Sequence, residues 1–134
     1  MKFFFGPRSL LKMRGVHPDL VEVMKLAIKN SSIDLIILEG VRPYDRQVEL
    51  VNRGASQTLD SLHLVQEDGW GHALDVAPYI NRRASWHWPH YHRIAPVIKG
   101  AAAELGVPIE WGGDWNSFKD GPHWQLPRKI FPHA

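Results

Sequence analysis

The order of elements predicts an α+β protein with a small, mainly antiparallel sheet flanked by helices. Two observations carry that expectation. Helical periodicity occupies the first part of the chain, whereas short apolar runs of strand length cluster late in it. No repeat, low-complexity tract or interdomain linker interrupts the 134 residues, so one domain spanning residues 1–134 is expected.

The first helix opens at Pro18 and Asp19 and reaches about Lys29, with Leu20, Val23, Met24, Ala27 and Ile28 on one face. Asn30-Ser31-Ser32 stops it, and Asp34 to Glu39 (DLIILE) has the composition of a buried strand. Gly40 turns the chain into a second helix from Tyr44 to Arg53, before Gly54. Ala55 to Gly71 is expected as a loop, and Ala73 to Ala77 as a short central strand. Asn81 to Pro89 is aromatic and irregular. The helix after it ends near Leu105-Gly106, and Pro96 belongs either in its first turn or at a kink. Ile109 to Trp111 and His123 to Leu126 are the last strand candidates.

Composition narrows the function. Hydrophobic content of 44% and charged content of 22% are those of an ordinary globular protein. Cysteine is absent, which excludes a disulfide framework and thiolate ligation; any metal must be held by His, Asp or Glu. A formal charge of +2 suits an anionic polymer, but Lys and Arg are too scattered for nucleic-acid binding. The opening MKFFFGPRSLLKMRG has too short an apolar run for a signal peptide, and no stretch is long enough to span a bilayer. The expectation is therefore synthesis in the cytoplasm, without stable membrane insertion.

Two stretches concentrate the chemistry. SLHLVQEDGWGHALDVAPY, from Ser61 to Tyr79, holds S-x-H and G-H-A-L-D-V-A-P-Y; GDWNSFKDGPHWQL, from Gly113 to Leu126, holds D-G-P-H. Two histidines and a carboxylate drawn from these places can hold a zinc ion and leave a fourth position for water. Asp120, three residues before His123, would stand beside that water as general base. The spacings fit none of the helical two-histidine zinc motifs. An unpaired carboxylate at Asp75, on a mostly apolar strand, would be costly and needs a metal or a cation.

S-x-H, then G-x-A-x-D with x-A-P-Y, then a late acid-x-x-H, resembles the M15 family of zinc peptidases. EGVRPYDRQVELVNRGAS is similar to that family's substrate-side Gly-x-Arg and downstream Gln, and GGDWN to a segment of its phage members. The resemblance covers nearly the whole chain and points to the L-alanyl-D-glutamate endopeptidase branch, the phage endolysins. It implies a Hedgehog/D-Ala-D-Ala-peptidase-like fold, Zn²⁺ on His63, Asp75 and His123, Asp120 as catalytic base, and Arg42 with Gln47 facing the substrate. It further implies a peptidoglycan stem-peptide substrate, a monomeric enzyme and release to the cell wall, in phage lysis through a holin-type pore. D,D-carboxypeptidase or dipeptidase action on D-Ala-D-Ala is the alternative within the family; a catalytically silent zinc-containing wall-binding or signalling module is the alternative outside it.

One spacing departs from the family pattern. The first histidine there stands seven residues before the aspartate, whereas His63 stands twelve before Asp75, and Asp68 occupies the usual offset. Either a longer loop carries His63, with Glu67 to Trp70 near its tip, or Asp68 replaces the histidine. Zinc's preference for imidazole favours His63. His72 competes less well, because strand residues three apart point to opposite faces. His87, His90 and His92 form a local cluster expected on a surface helix or loop. Trp111, Trp115 and Trp124 are expected as core or cleft walls, and Gly71 and Gly112-Gly113 at backbone turns.

Overall fold

The computed structural model describes residues 2–54 and 61–128. In order these form α1 (Pro7–Lys12), α2 (Pro18–Asn30), β1 (Asp34–Glu39), α3 (Tyr44–Asn52), β2 (Ala73–Ile80), β3 (Arg83–Ala84), α4 (Trp88–Leu105), β4 (Glu110–Trp111) and β5 (His123–Gln125). Residues 55–60 of the expected loop, and Ala55 and Ser56 of the Arg42 segment, lie outside the described residues.

The sheet runs β1-β2-β5-β4, with β3 folded back on the far end of β2, and every pairing is antiparallel. This is the expected α+β architecture. β2 is central and longer than expected, running past Ala77 to Ile80 so that β1 can pair along most of it. Its inward side chains Leu74 and Val76 meet Leu35 and Ile37 of β1, Trp124 of β5, the α2 face and Ile94 and Ile98 of α4. All five apolar residues expected on the α2 face are buried. His17 caps that helix by accepting the Asp19 N–H at 3.0 Å.

Three features are not settled by the sequence. Helix α1 is one, and its Ser9 hydroxyl accepts the buried N–H of Ile37 at 3.1 Å, covering the outer edge of β1. Of the two places expected for Pro96 it takes the one inside α4, beyond the first turn, so the carbonyl of His92 loses its usual helical donor. The third is a register shift in β1: Ile37 faces Val76, but Glu39, rather than Leu38, faces Asp75. Such bulges re-aim one side chain without breaking the sheet. Among the described residues no helix is long and apolar enough to cross a membrane.

The Ser9 contact generates a prediction. Ser9→Ala leaves the Ile37 N–H buried without a partner, and should destabilise the protein by about 1–3 kcal/mol. Urea denaturation measures it; an unchanged midpoint would mean that α1 does not seal the edge through this bond.

Candidate metal centre and catalytic cleft

Strand pairing creates half of the site. Asp75 of β2 lies opposite His123 of β5, so both side chains leave the same face, while their neighbours Leu74 and Trp124 enter the core. The third member comes from the loop before β2. His63 is fixed at three points: its N–H donates to the Ser61 hydroxyl at 3.1 Å, its carbonyl accepts from the Arg42 N–H at 2.9 Å, and its ring Nδ1 lies 2.9 Å from the Gly40 carbonyl.

The two rings face each other at 5.1 Å between centroids. His63 Nε2 and His123 Nδ1 each lie 3.3 Å from Asp75 Oδ1, and that buried oxygen makes no hydrogen bond. The far nitrogens explain why. A carbonyl can only accept, so His63 carries its proton on Nδ1 and turns the Nε2 lone pair inward. His123 Nε2 lies 2.8 Å from Gln125 Oε1, whose amide nitrogen is turned to the Glu110 carboxylate; with the amide so oriented, the proton sits on Nε2 and the Nδ1 lone pair turns inward. Three acceptors therefore converge on one small volume, all within 4.8 Å of one another. Such a donor set fits a cation, and among the described residues it is the group of His, Asp and Glu arranged to hold one.

Without a metal, protons supply the compensating charge. Burial alone would push the Asp75 carboxyl up, but the adjacent His123 and His63 outweigh it and hold the group well below the usual carboxylate range. Burial would lower His123, yet Asp75 beside it raises the imidazole above its ordinary 6.5.

Asp120 enters from the Gly112–Pro122 loop. Its N–H donates to the Gly112 carbonyl at 3.1 Å, and its carbonyl accepts from the His123 N–H at 3.2 Å. Burial, then the charge of Asp75, raises its carboxyl above the ordinary 3.8, while His123, His63 and Arg42 pull it down. Close packing, not turn geometry, requires the glycines here. A Cβ on Gly112 would lie 2.4 Å from the Asp120 carbonyl oxygen, and one on Gly113 2.3 Å from the Trp111 indole. Trp115 lies against His123, ring centroids 5.1 Å apart, and walls the cleft; Trp111 and Trp124 stack in the core.

Arg42 is gripped from both sides. Its Nε donates to Glu39 Oε1 and its Nη1 to Gln47 Oε1 at 2.6 Å. Gln47 is fully buried, unlike an ordinary helix-surface residue. Glu39 and Gln125 were not foreseen as site residues. The strand pattern places Gln125 on the His123 face, but the partner of Glu39 depends on the bulge, which no local pattern announces.

The remaining candidates lie elsewhere. Asp68 bonds to His72, Oδ2 to Nε2 at 2.7 Å, and to the Trp70 N–H at 3.0 Å. The loop closes at its base where the His72 N–H donates to the Leu62 carbonyl, and Gln66 to Trp70 form an exposed turn. Gly71 takes a parallel bridge to Val16 there, and a Cβ on it would lie 3.1 Å from a Val41 methyl, a tight contact. His90 bonds to Ser85 at the start of α4, and His87 packs on it. A separate recess of about 470 Å³ runs along α4 and β4 and touches the site through Trp115.

A family model described as the phage L-alanyl-D-glutamate peptidase matches residues 1–130. This chain belongs to that family. It is 31% identical over 124 residues to the L-alanyl-D-glutamate peptidase of Escherichia phage T5, covering 90% of this chain and 87% of that one. It is 28% identical over 131 residues to a peptidoglycan L-alanyl-D-glutamate endopeptidase of Bacillus subtilis, covering 83% of this chain and 73% of that one. The crystal structure of the Serratia marcescens L-Ala D-Glu endopeptidase ChiX superposes with a TM-score of 0.88 at 44% identity, over 98% of this chain and 94% of that one.

The two shifted groups predict opposite pH responses with and without metal. The raised His123 stabilises the metal-free fold fully below pH 6.5 and less as pH rises through its folded value; the depressed Asp75 stabilises it above pH 3.8 and less as pH falls through its own. Metal-free protein should thus be most stable in mildly acidic solution, between those limits. Metal needs the unprotonated imidazoles, so the stabilisation that it adds should grow with pH. Thermal unfolding across pH, with and without chelator, measures both; stability of the metal-free protein that rises from pH 5 to 8 would contradict the pairing.

Proposed function

We propose that this protein is a zinc-dependent endopeptidase that cuts the peptidoglycan stem peptide between L-alanine and D-glutamate. The observation that carries the reading is the convergence of His63 Nε2, Asp75 Oδ1 and His123 Nδ1 in a chain of this family. Two imidazoles and one carboxylate, with no cysteine in the chain, suit zinc better than the harder oxygen-seeking cations. When bound, the ion supplies Lewis acidity and makes water nucleophilic near neutral pH.

The protein's own groups divide the remaining work. Asp120, its carboxyl raised toward the range of a working base by burial and by the charge of Asp75, accepts the proton of the attacking water and returns it to the leaving amine. Arg42, its guanidinium held by Glu39 and Gln47, presents fixed donors to a substrate carboxylate or to the developing oxyanion. Gln47 acts through Arg42. Trp115 limits water on one side of the cleft. The enzyme acts as a monomer with residues 1–134 as one peptidase domain, and in a lytic phage cycle reaches the wall through a holin-type pore. The named relatives act at the L-Ala–D-Glu bond, which favours this reading over D,D-carboxypeptidase activity. The presence of Asp120 inside the electrostatic reach of the site favours it over a silent binding module.

Two expectations test the reading. Mass spectrometry of digested peptidoglycan should find new amino-terminal D-glutamate; new amino groups only on D-alanine would replace the reading with the D,D-specific one. Asp120→Asn should lower turnover by ~10²-fold or more while metal content and fold stay near wild type. Unchanged turnover in that variant would assign the base elsewhere.

A further inference from the structure

His123 has two ring nitrogens, and a metal site needs one of them free of its proton. What fixes the choice lies behind the ring, on the same sheet face. Gln125 follows His123 by two residues on β5, so the two side chains emerge on one side. Gln125 Oε1 lies 2.8 Å from His123 Nε2, and Gln125 Nε2 donates to Glu110 Oε2 at 3.2 Å. Glu110 stands opposite Gln125 in the β4–β5 pairing.

A glutamine amide alone is ambiguous, because its oxygen accepts and its nitrogen donates. A carboxylate is not. Glu110 can only accept, so it draws the amide nitrogen outward and leaves the oxygen toward the imidazole. That oxygen in turn needs a donor, which places the His123 proton on Nε2 and the lone pair on Nδ1, facing Asp75.

We propose that Gln125, oriented by Glu110, is the positioning residue that makes Nδ1 of His123 the metal-facing atom. The inference rests on the reading of His123 as a ligand. The two links are unequal. Gln125 is half-buried and touches the ligand, whereas Glu110 is exposed and its bond competes with water. Loss of Gln125 therefore matters more than loss of Glu110.

The experiment compares zinc affinity by chelator competition in wild type, His123→Ala, Gln125→Leu, Glu110→Leu and the double exchange Glu110→Gln with Gln125→Glu. The exchange keeps the relay with reversed chemistry: a carboxylate now accepts from His123, and an amide at position 110 donates to it. Nitrogen-15 imidazole spectra of metal-free protein at alkaline pH report the tautomer independently of activity. Gln125→Leu should bind zinc ~10–100-fold more weakly and lose the pure Nε2–H signature. Glu110→Leu should fall between it and wild type, and the exchange should keep both affinity and signature. If His123→Ala loses zinc while Gln125→Leu keeps wild-type affinity and tautomer, the role of Gln125 is overturned and the ligand assignment stands. The role is equally overturned if the exchange variant folds yet binds as weakly as Gln125→Leu. Zinc retained at wild-type affinity by His123→Ala overturns the ligand assignment, and the inference with it.

Discussion

Three lone pairs pointed at one place are unstable without a positive charge between them. That constraint organises this protein. Asp75 Oδ1, buried and without a hydrogen bond, faces two imidazole nitrogens whose opposite nitrogens are already committed to acceptors. Either a cation is bound or a proton must enter at an imidazole: Asp75 raises His123 above its ordinary value, while the two rings keep Asp75 itself a carboxylate. The β2–β5 register, the closed loop before β2 and the glycines that let the last loop approach all serve to bring those atoms together.

The site is assembled from segments far apart in the chain. Glu39 to Gln47 supplies the Arg42 clamp, Ser61 to His72 supplies His63, and Gly112 to His123 supplies Asp120 and the final imidazole. Backbone bonds tie the first two, since the Arg42 N–H donates to the His63 carbonyl. The bulge in β1 ties the clamp to the centre by setting Glu39 opposite Asp75. In a chain without cysteine, a metal at this point would also be a cross-link between loop and sheet, so binding and folding are coupled.

Much of this was legible from the residues alone. The α2 face, DLIILE and the ALDVAP strand follow helical and strand periodicity, whereas the His63, Asp75, His123 set with Asp120 comes from the resemblance to the M15 peptidases, since the spacings alone fit no helical zinc motif. What was hidden depends on tertiary contact. Ser9 matters because of a backbone N–H far along the chain, and Glu39 because of a register shift. Gln47 sits in a short amphipathic helix where exposure was as plausible as burial, until Arg42 reaches back to it. Pro96 leaves two places open in sequence, and its place inside α4 is tolerated because that helix, packed on α2 and the sheet, absorbs a missing hydrogen bond. The longer interval before Asp75 was ambiguous in sequence because either histidine or aspartate fits a metal; in the fold the turn at Gln66–Trp70 directs Asp68 to His72, while His63 Nε2 lies 3.3 Å from Asp75 Oδ1.

The most direct test is the metal content of wild type, His63→Ala and Asp68→Ala, each purified folded and without added chelator. The account predicts one metal ion per chain in wild type and in Asp68→Ala, and its loss in His63→Ala. Metal retained by His63→Ala and lost by Asp68→Ala would contradict it.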